Sequence, residues 1–149
     1  MNLAAQVIEL FDGFPFGTPA TLDDLQRAER ELGEAIPPVL RDLYLAFDGF
    51  RGPTNAQFFW PLFAENGLVR FNSFLRAGDE FPHDFVSSCI FFGDEGIGSM
   101  WGIKRDLPDS IIRWDAEWGE EYEVVGTSPL DAWARSKREY EAIPNEPIA

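Results

Sequence analysis

Ser88-Cys89-Ile90-Phe91-Phe92-Gly93-Asp94-Glu95-Gly96-Ile97-Gly98-Ser99-Met100-Trp101-Gly102-Ile103-Lys104 is the stretch that decides the fold. Two apolar runs rich in aromatic and β-branched residues flank a polar, glycine-rich centre, which predicts a β-hairpin with Gly93, Gly96 and Gly98 supplying positive φ in the connection. A phosphate-cradling loop is the competing reading. It fails because neither G-x-G-x-x-G nor G-x-x-x-x-G-K-[ST] is present and because Asp94 and Glu95 would repel the anion.

Upstream of the hairpin the pattern is helical. Leu3, Val7, Leu10 and Phe11 fall at helical spacing before Gly13 and Pro15. Thr21 caps a second helix, with Asp23 and Asp24 in its first turn and Leu22, Leu25, Ala28 and Leu32 on one face up to Gly33. Arg27, Glu29, Arg30 and Glu31 take the solvated side. Ile36-Pro37-Pro38 starts a third helix carrying Val39, Leu40, Leu43, Tyr44 and Phe47, ended by Asp48-Gly49 and covered by Phe50. Gln57-Phe58-Phe59-Trp60-Pro61-Leu62 reads as a first strand ended by Pro61, Leu68 to Arg76 as a helix, and Gly78 to Pro82 as a loop leading into the hairpin.

Downstream, Ile111-Ile112-Arg113-Trp114-Asp115 and Glu121-Tyr122-Glu123-Val124-Val125 read as strands joined through Trp118-Gly119-Glu120. Ser128-Pro129-Leu130-Asp131 sets a cap, a first-turn proline and an acid for a last helix with Leu130, Trp133 and Ala134 inward. Two prolines between Pro144 and Ala149 predict a frayed tail. Helices, then an antiparallel meander, then a helix make an α+β chain, with N-terminal helices packed on a largely antiparallel twisted sheet. At 149 residues, with no repeat and no linker, it forms one domain.

The chemistry on offer is thin. There is one histidine, His83, in a Pro82-His83-Asp84 loop, and one cysteine, Cys89, beside Ile90 and Phe91 and therefore read as a small buried hydrophobe. No G-x-S-x-G elbow accompanies His83. Structural zinc takes four nitrogen or sulfur ligands and only two such residues exist; the acids of residues 106–123 do not follow an EF-hand pattern. No catalytic residue, metal ligand or cofactor site is assigned.

Charge carries the functional signal. The chain has 26 acids to 12 bases and a net charge of −14. Direct nucleic-acid binding needs clustered Lys and Arg, and a basic protein surface is the fitting partner; the alternative reading of the composition is that the acidity only keeps the domain soluble. No apolar run reaches the roughly 18 to 20 residues of a membrane span. The N-terminus lacks a basic, uninterrupted apolar leader, so a cytosolic location is expected. Within the acidic part, Glu121 and Glu123 fall on one strand face and Tyr122 and Val124 on the other. Asp94, Glu95, Asp115, Glu117, Trp118, Glu120, Glu121 and Glu123 are the candidate partner-binding residues, with Trp114 and Trp118 bordering the face; the competing reading, favoured for each tryptophan taken singly, places the rings in the core and leaves the acids as solvated surface. The sequence sets no oligomeric state.

The helix from Ile36-Pro37-Pro38 to Phe47-Asp48-Gly49, the Ile90 to Gly98 hairpin with Trp101, and the closing Ser128-Pro129-Leu130-Asp131-Ala132-Trp133 resemble, in matching order over about residues 20–142, the SUKH superfamily. That superfamily includes the yeast cell-wall-synthesis regulators and many bacterial immunity proteins. Leu40 stands where members often carry a tyrosine, and the acidic hairpin connection has its own form. The resemblance implies a non-enzymatic binding domain, in bacteria most often an immunity protein that neutralises a cognate polymorphic toxin, frequently a nuclease. A regulatory or scaffold module that binds a host protein is the alternative, and a carboxylate-dependent hydrolase a distant third.

Overall fold

The computed structural model describes residues 2–143; the expected frayed tail at Pro144 to Ala149 lies outside the described residues. Six α-helices and four strands follow one another as α1 (Leu3–Leu10), α2 (Leu22–Leu32), α3 (Pro38–Ala46), α4 (Leu68–Ala77), α5 (His83–Ser87), β1 (Cys89–Asp94), β2 (Ser99–Lys104), β3 (Ile111–Asp115), β4 (Glu123–Gly126) and α6 (Pro129–Glu141). The strands form one antiparallel sheet in the order β1-β2-β3-β4. This is the α+β architecture that the sequence predicts.

Local chemistry explains the helix ends. At α2 the Thr21 hydroxyl accepts from Asp24 N while the Asp24 carboxylate accepts from Thr21 N, a reciprocal capping box. Ser128 and Asp131 form the same device at α6, with Pro129 at its first turn. Phe47 terminates α3 one residue ahead of Asp48-Gly49.

The sheet is covered on both faces, and the two-residue strand period sorts its side chains. Ile90, Phe92, Trp101, Ile103 and Ile111 point into a core shared with Leu25, Leu40, Leu43 and Trp133 from the flanking helices. Cys89, Phe91, Met100, Ile112 and Trp114 point the other way, onto Leu75, Phe85, Val86 and Trp60. Leu22, expected inward on α2, is exposed, as is Leu10 of α1.

Gln57 to Leu62 is not a strand. It makes an isolated bridge from Phe59 to Phe50 and then runs along β1, where Trp60 N donates to Phe92 O at 2.7 Å and Asp94 N donates to Gln57 O at 2.8 Å. The rest of that sheet edge is satisfied by side chains. Asn72 of α4 donates to Phe91 O at 2.8 Å and accepts from Phe91 N at 2.9 Å, and Arg76 donates to Cys89 O at 2.7 Å. An edge that would otherwise invite foreign strands is thereby closed.

Gly93 belongs to this contact rather than to a turn. It lies within β1, and a Cβ there would sit 1.8 Å from Phe58 O, so only glycine lets the 57–60 segment approach. Gly96 and Gly98, with φ of 83° and 102°, do make the hairpin connection as expected. Buried donors lock the same segment to distant elements: Trp133 Nε1 donates to Phe58 O at 2.7 Å and Tyr44 Oη to Trp60 O at 2.6 Å. Burial pushes the Tyr44 phenol well above its usual range.

Two further departures concern local elements. His83 opens α5, a single short helix seating Phe85 and Val86, in place of the predicted loop. β4 starts at Glu123, two residues later than expected, and its faces are the reverse of the expected ones: Val124 is 56% exposed, while Val125, on the side of Glu123, packs against the core.

Candidate partner-binding surface

The predicted site residues divide into two groups. The first is tied down by Arg113 of β3, which sits between the hairpin tip and the outer strand. Its Nε donates to Glu95 Oε1 at 3.0 Å and its Nη1 to Glu123 Oε1 at 2.8 Å. Desolvation works against the guanidinium charge, but the bonds to Glu123 and Glu95 outweigh it and hold the group above its usual value. Glu95, with a side chain only 13% exposed, also accepts from Ser99 Oγ. Asp94 accepts from Trp60 Nε1 at 2.7 Å and from Gly96 N at 2.8 Å, which fixes the tip against the 57–60 segment.

The second group stands out from the β3–β4 connection. Asp115 accepts from Glu117 N at 2.9 Å and so starts a single 3-10 turn, Ala116–Trp118, that Gly119 ends with φ of 67°. Glu117, Glu120 and Glu121 are exposed around this turn. Trp118 is 37% exposed, with the Arg113 guanidinium 5.3 Å from its ring centroid. Tyr122, also 37% exposed, stacks on Phe85 with centroids 5.9 Å apart.

Trp114 does not border this face. It is fully buried, stacked on Phe91 with centroids 5.3 Å apart, and its Nε1 donates to Gly119 O at 2.9 Å, which anchors the acidic turn from below. The structure therefore brings together a ridge of Glu117, Trp118, Glu120 and Glu121, bounded by Asp115 and by the exposed apolar pair Tyr122 and Val124. Asp94 lies apart from it, across the Glu95–Arg113 pair. Sequence reasoning missed the clasp role of Arg113, although its place as the one base among seven acids in residues 106–123 was the available signal.

Elsewhere the reactive groups are quiet. Cys89 is fully buried, and desolvation pushes its thiol up to about 11, which leaves it protonated at neutral pH. His83 is exposed at the start of α5. Among the described residues no group of three or more His, Cys, Asp and Glu is placed to hold a metal ion, and no helix is long and apolar enough to cross a membrane.

Helices, a four-strand antiparallel meander and a closing helix define a small α+β domain, with exposed acids that have no ion-pair partner among the described residues in the connection between β3 and β4. The chain belongs to the SMI1/KNR4 family (SUKH-1), which it matches over residues 19–133. The match opens just before the Thr21 cap and closes at Trp133, so α1 with its core residue Val7, and Phe11 that follows it into the core, lie ahead of it. Comparison with curated proteins gave no match.

Proposed function

We propose that this chain is a non-catalytic, immunity-type module that captures a basic protein partner, a cognate toxin of the nuclease kind, and occludes it by stoichiometric binding. The observation that carries the reading is the exposed ridge of Glu117, Glu120 and Glu121 around the half-exposed Trp118, on a domain of net charge −14. Acids without internal partners are free to meet cations, and an aromatic ring beside them supplies contact area at low entropic cost. A nuclease presents a basic cleft because it must hold phosphate, and a ridge of carboxylates with one large ring fits such a cleft. Membership of the family supports a protein-binding role. The buried, protonated Cys89 and the exposed His83 give the reading no competing chemistry.

Titration of a basic toxin domain encoded beside this chain, with its nuclease activity as readout, tests the proposal. Activity should fall linearly and vanish at one equivalent. Undiminished activity in the presence of excess protein would remove the immunity role for that toxin.

A further inference from the structure

The sheet face that carries Phe91 and Trp114 is covered by α4, α5 and the 78–82 loop, and this cover leaves part of its own apolar surface in water. Phe74 of α4 is 56% exposed, more than any other aromatic side chain among the described residues. Leu75, not Phe74, is the neighbouring α4 side chain buried in the core beneath. The Phe74 ring lies 6.0 Å, centroid to centroid, from each of two half-buried rings, Phe71 and Phe81. From Phe81 the rings continue through buried Trp114 at 6.3 Å and Phe85 at 5.4 Å to Tyr122 at 5.9 Å, which surfaces again beside Glu121. Ala116 of the acidic turn packs against the same core as Phe71 and Phe81, so one apolar layer joins the exposed rings to that turn.

Single exposed apolar side chains are ordinary, whereas contiguous ones with a polar surround mark contact surfaces. The surround here is acidic. The loop that carries Phe81 also carries the exposed Asp79 and Glu80, and α5 adds the exposed Asp84; none of the three has an ion-pair partner among the described residues. Arg70, one turn before Phe74, and His83 are the exposed bases on the same elements. With His83 neutral, three negative charges stand against one positive. Rings of this kind attract cations to their faces, and the acids attract the same cations from a distance.

We propose that Phe74 and Phe81 form a docking face for the basic partner, on which arginine side chains of that partner lay their guanidinium planes over the exposed rings. Arginine fits better than lysine because its guanidinium is planar, weakly hydrated and stacks on aromatic faces, whereas an ammonium is a compact, strongly hydrated charge. A second copy of this chain is a poor occupant, since the same acids would face one another across the contact on two domains of net charge −14. This face rests on the basic-partner reading above and divides the work with the ridge: solvated carboxylates speed encounter, and desolvated rings slow departure.

Two experiments test the face. In the first, association and dissociation of the full chain and the basic toxin domain encoded beside it are timed by stopped flow. Phe74→Ala truncates a solvent-exposed ring on a helix; dissociation should speed up about ten-fold or more, with association changed by less than about two-fold. Ile8→Ala, which truncates an exposed side chain of α1, should change neither. Phe74→Lys and Phe74→Glu both lose the ring, so the difference between them reads the charge of the occupant, and lysine should weaken the complex more. Unchanged dissociation of Phe74→Ala, or greater weakening by glutamate than by lysine, overturns the face. In the second, the chain alone is titrated with hexa-arginine and with hexa-lysine and followed by ¹H–¹⁵N NMR. The amides of Phe74, Gly78 and Phe81 should shift saturably, about two-fold or more further with arginine, and Phe74→Ala should abolish the difference. Equal shifts with the two peptides, shifts confined to residues 115–122, or a dimer of the free chain that Phe74→Ala dissolves would each overturn it. If the face fails while the chain still titrates the toxin at one equivalent, the binding role stands without it; if toxin titration fails and the hexa-arginine response holds, the toxin reading is the one that falls.

Discussion

Asp48, just past α3, is a residue whose chemistry opposes its position. Its carboxylate accepts from Leu62 N at 2.9 Å and helps hold the turn after Pro61. Burial raises its pKa, the Leu62 bond lowers it, and the nearby Asp24 charge raises it, with a net upward shift. The folded state therefore binds this proton more tightly than the unfolded chain, whose carboxylate titrates near about 3.9. Stability is unpenalised below that value and falls as pH rises through the window up to the raised folded value. Asp48→Asn keeps an acceptor for Leu62 N and removes the charge. Urea midpoints of the two proteins should coincide at pH 3 and separate in favour of the asparagine as pH rises to neutral; a pH-independent gap would count against the burial account. Net self-repulsion is nearly common to both proteins, so their difference isolates Asp48. Single residues were unevenly legible in the sequence. Cys89 was, because its flanks are Ile90 and Phe91. Gly93 was not, because its reason is Phe58 O, far away along the chain. Trp114 carried its own signal: it shares the two-residue period with Ile112 and so faces the core.

Among the elements, β3 acts through Arg113, which joins the hairpin tip to β4. Arg113→Met keeps the stem's packing and removes both ion pairs, leaving Glu95, largely shielded from water, without its cation. Removing one partner of a shielded pair costs more than the pair contributes, and about 1–3 kcal/mol of stability should be lost. Hydrogen exchange locates the effect: the Glu95 amide, which donates to Ser99 O at 3.2 Å, should lose protection first, while Phe91, held by Asn72, should not. Uniform loss of protection would deny Arg113 its local role. The same case corrects an obvious experiment, because reversing Glu123 would break an internal pair as well as alter the surface. Elements with strong local punctuation were legible: α2 and α6 by the capping boxes at their starts, the hairpin by its glycines, β3 by its short apolar run. Gln57 to Leu62 has the composition of a strand, yet its neighbour β1 is partly bonded by Asn72 and Arg76, which no local pattern announces. α5 is too short for periodicity to register, and β4 has its covered face on Val125, against α6, rather than on Val124, a reversal that its mixed pattern of acids and apolar residues does not announce.

For the whole molecule, a net charge of −14 makes salt act in two opposite directions. In the free domain the acids repel one another, so screening should raise the urea midpoint as ionic strength increases from low values. In association with a basic partner the same acids attract, so screening should slow encounter. A rate that falls with salt while stability rises separates steering from damage to the fold. Whether the ridge or the total charge steers is decided by two triple variants that change net charge equally. Glu117, Glu120 and Glu121 reversed to Lys alter the ridge; Glu9, Asp12 and Asp42 reversed to Lys alter exposed acids on α1, just after it and on α3. At low salt the ridge triple should slow association by about ten-fold or more, within the range by which steering changes rates, and the other triple by much less. Equal slowing by the two would assign the effect to net charge and take the ridge out of the interface. Because none of the six acids has an ion-pair partner among the described residues, neither triple breaks an internal pair, and stopped-flow rates measured against the same partner compare surfaces rather than folds.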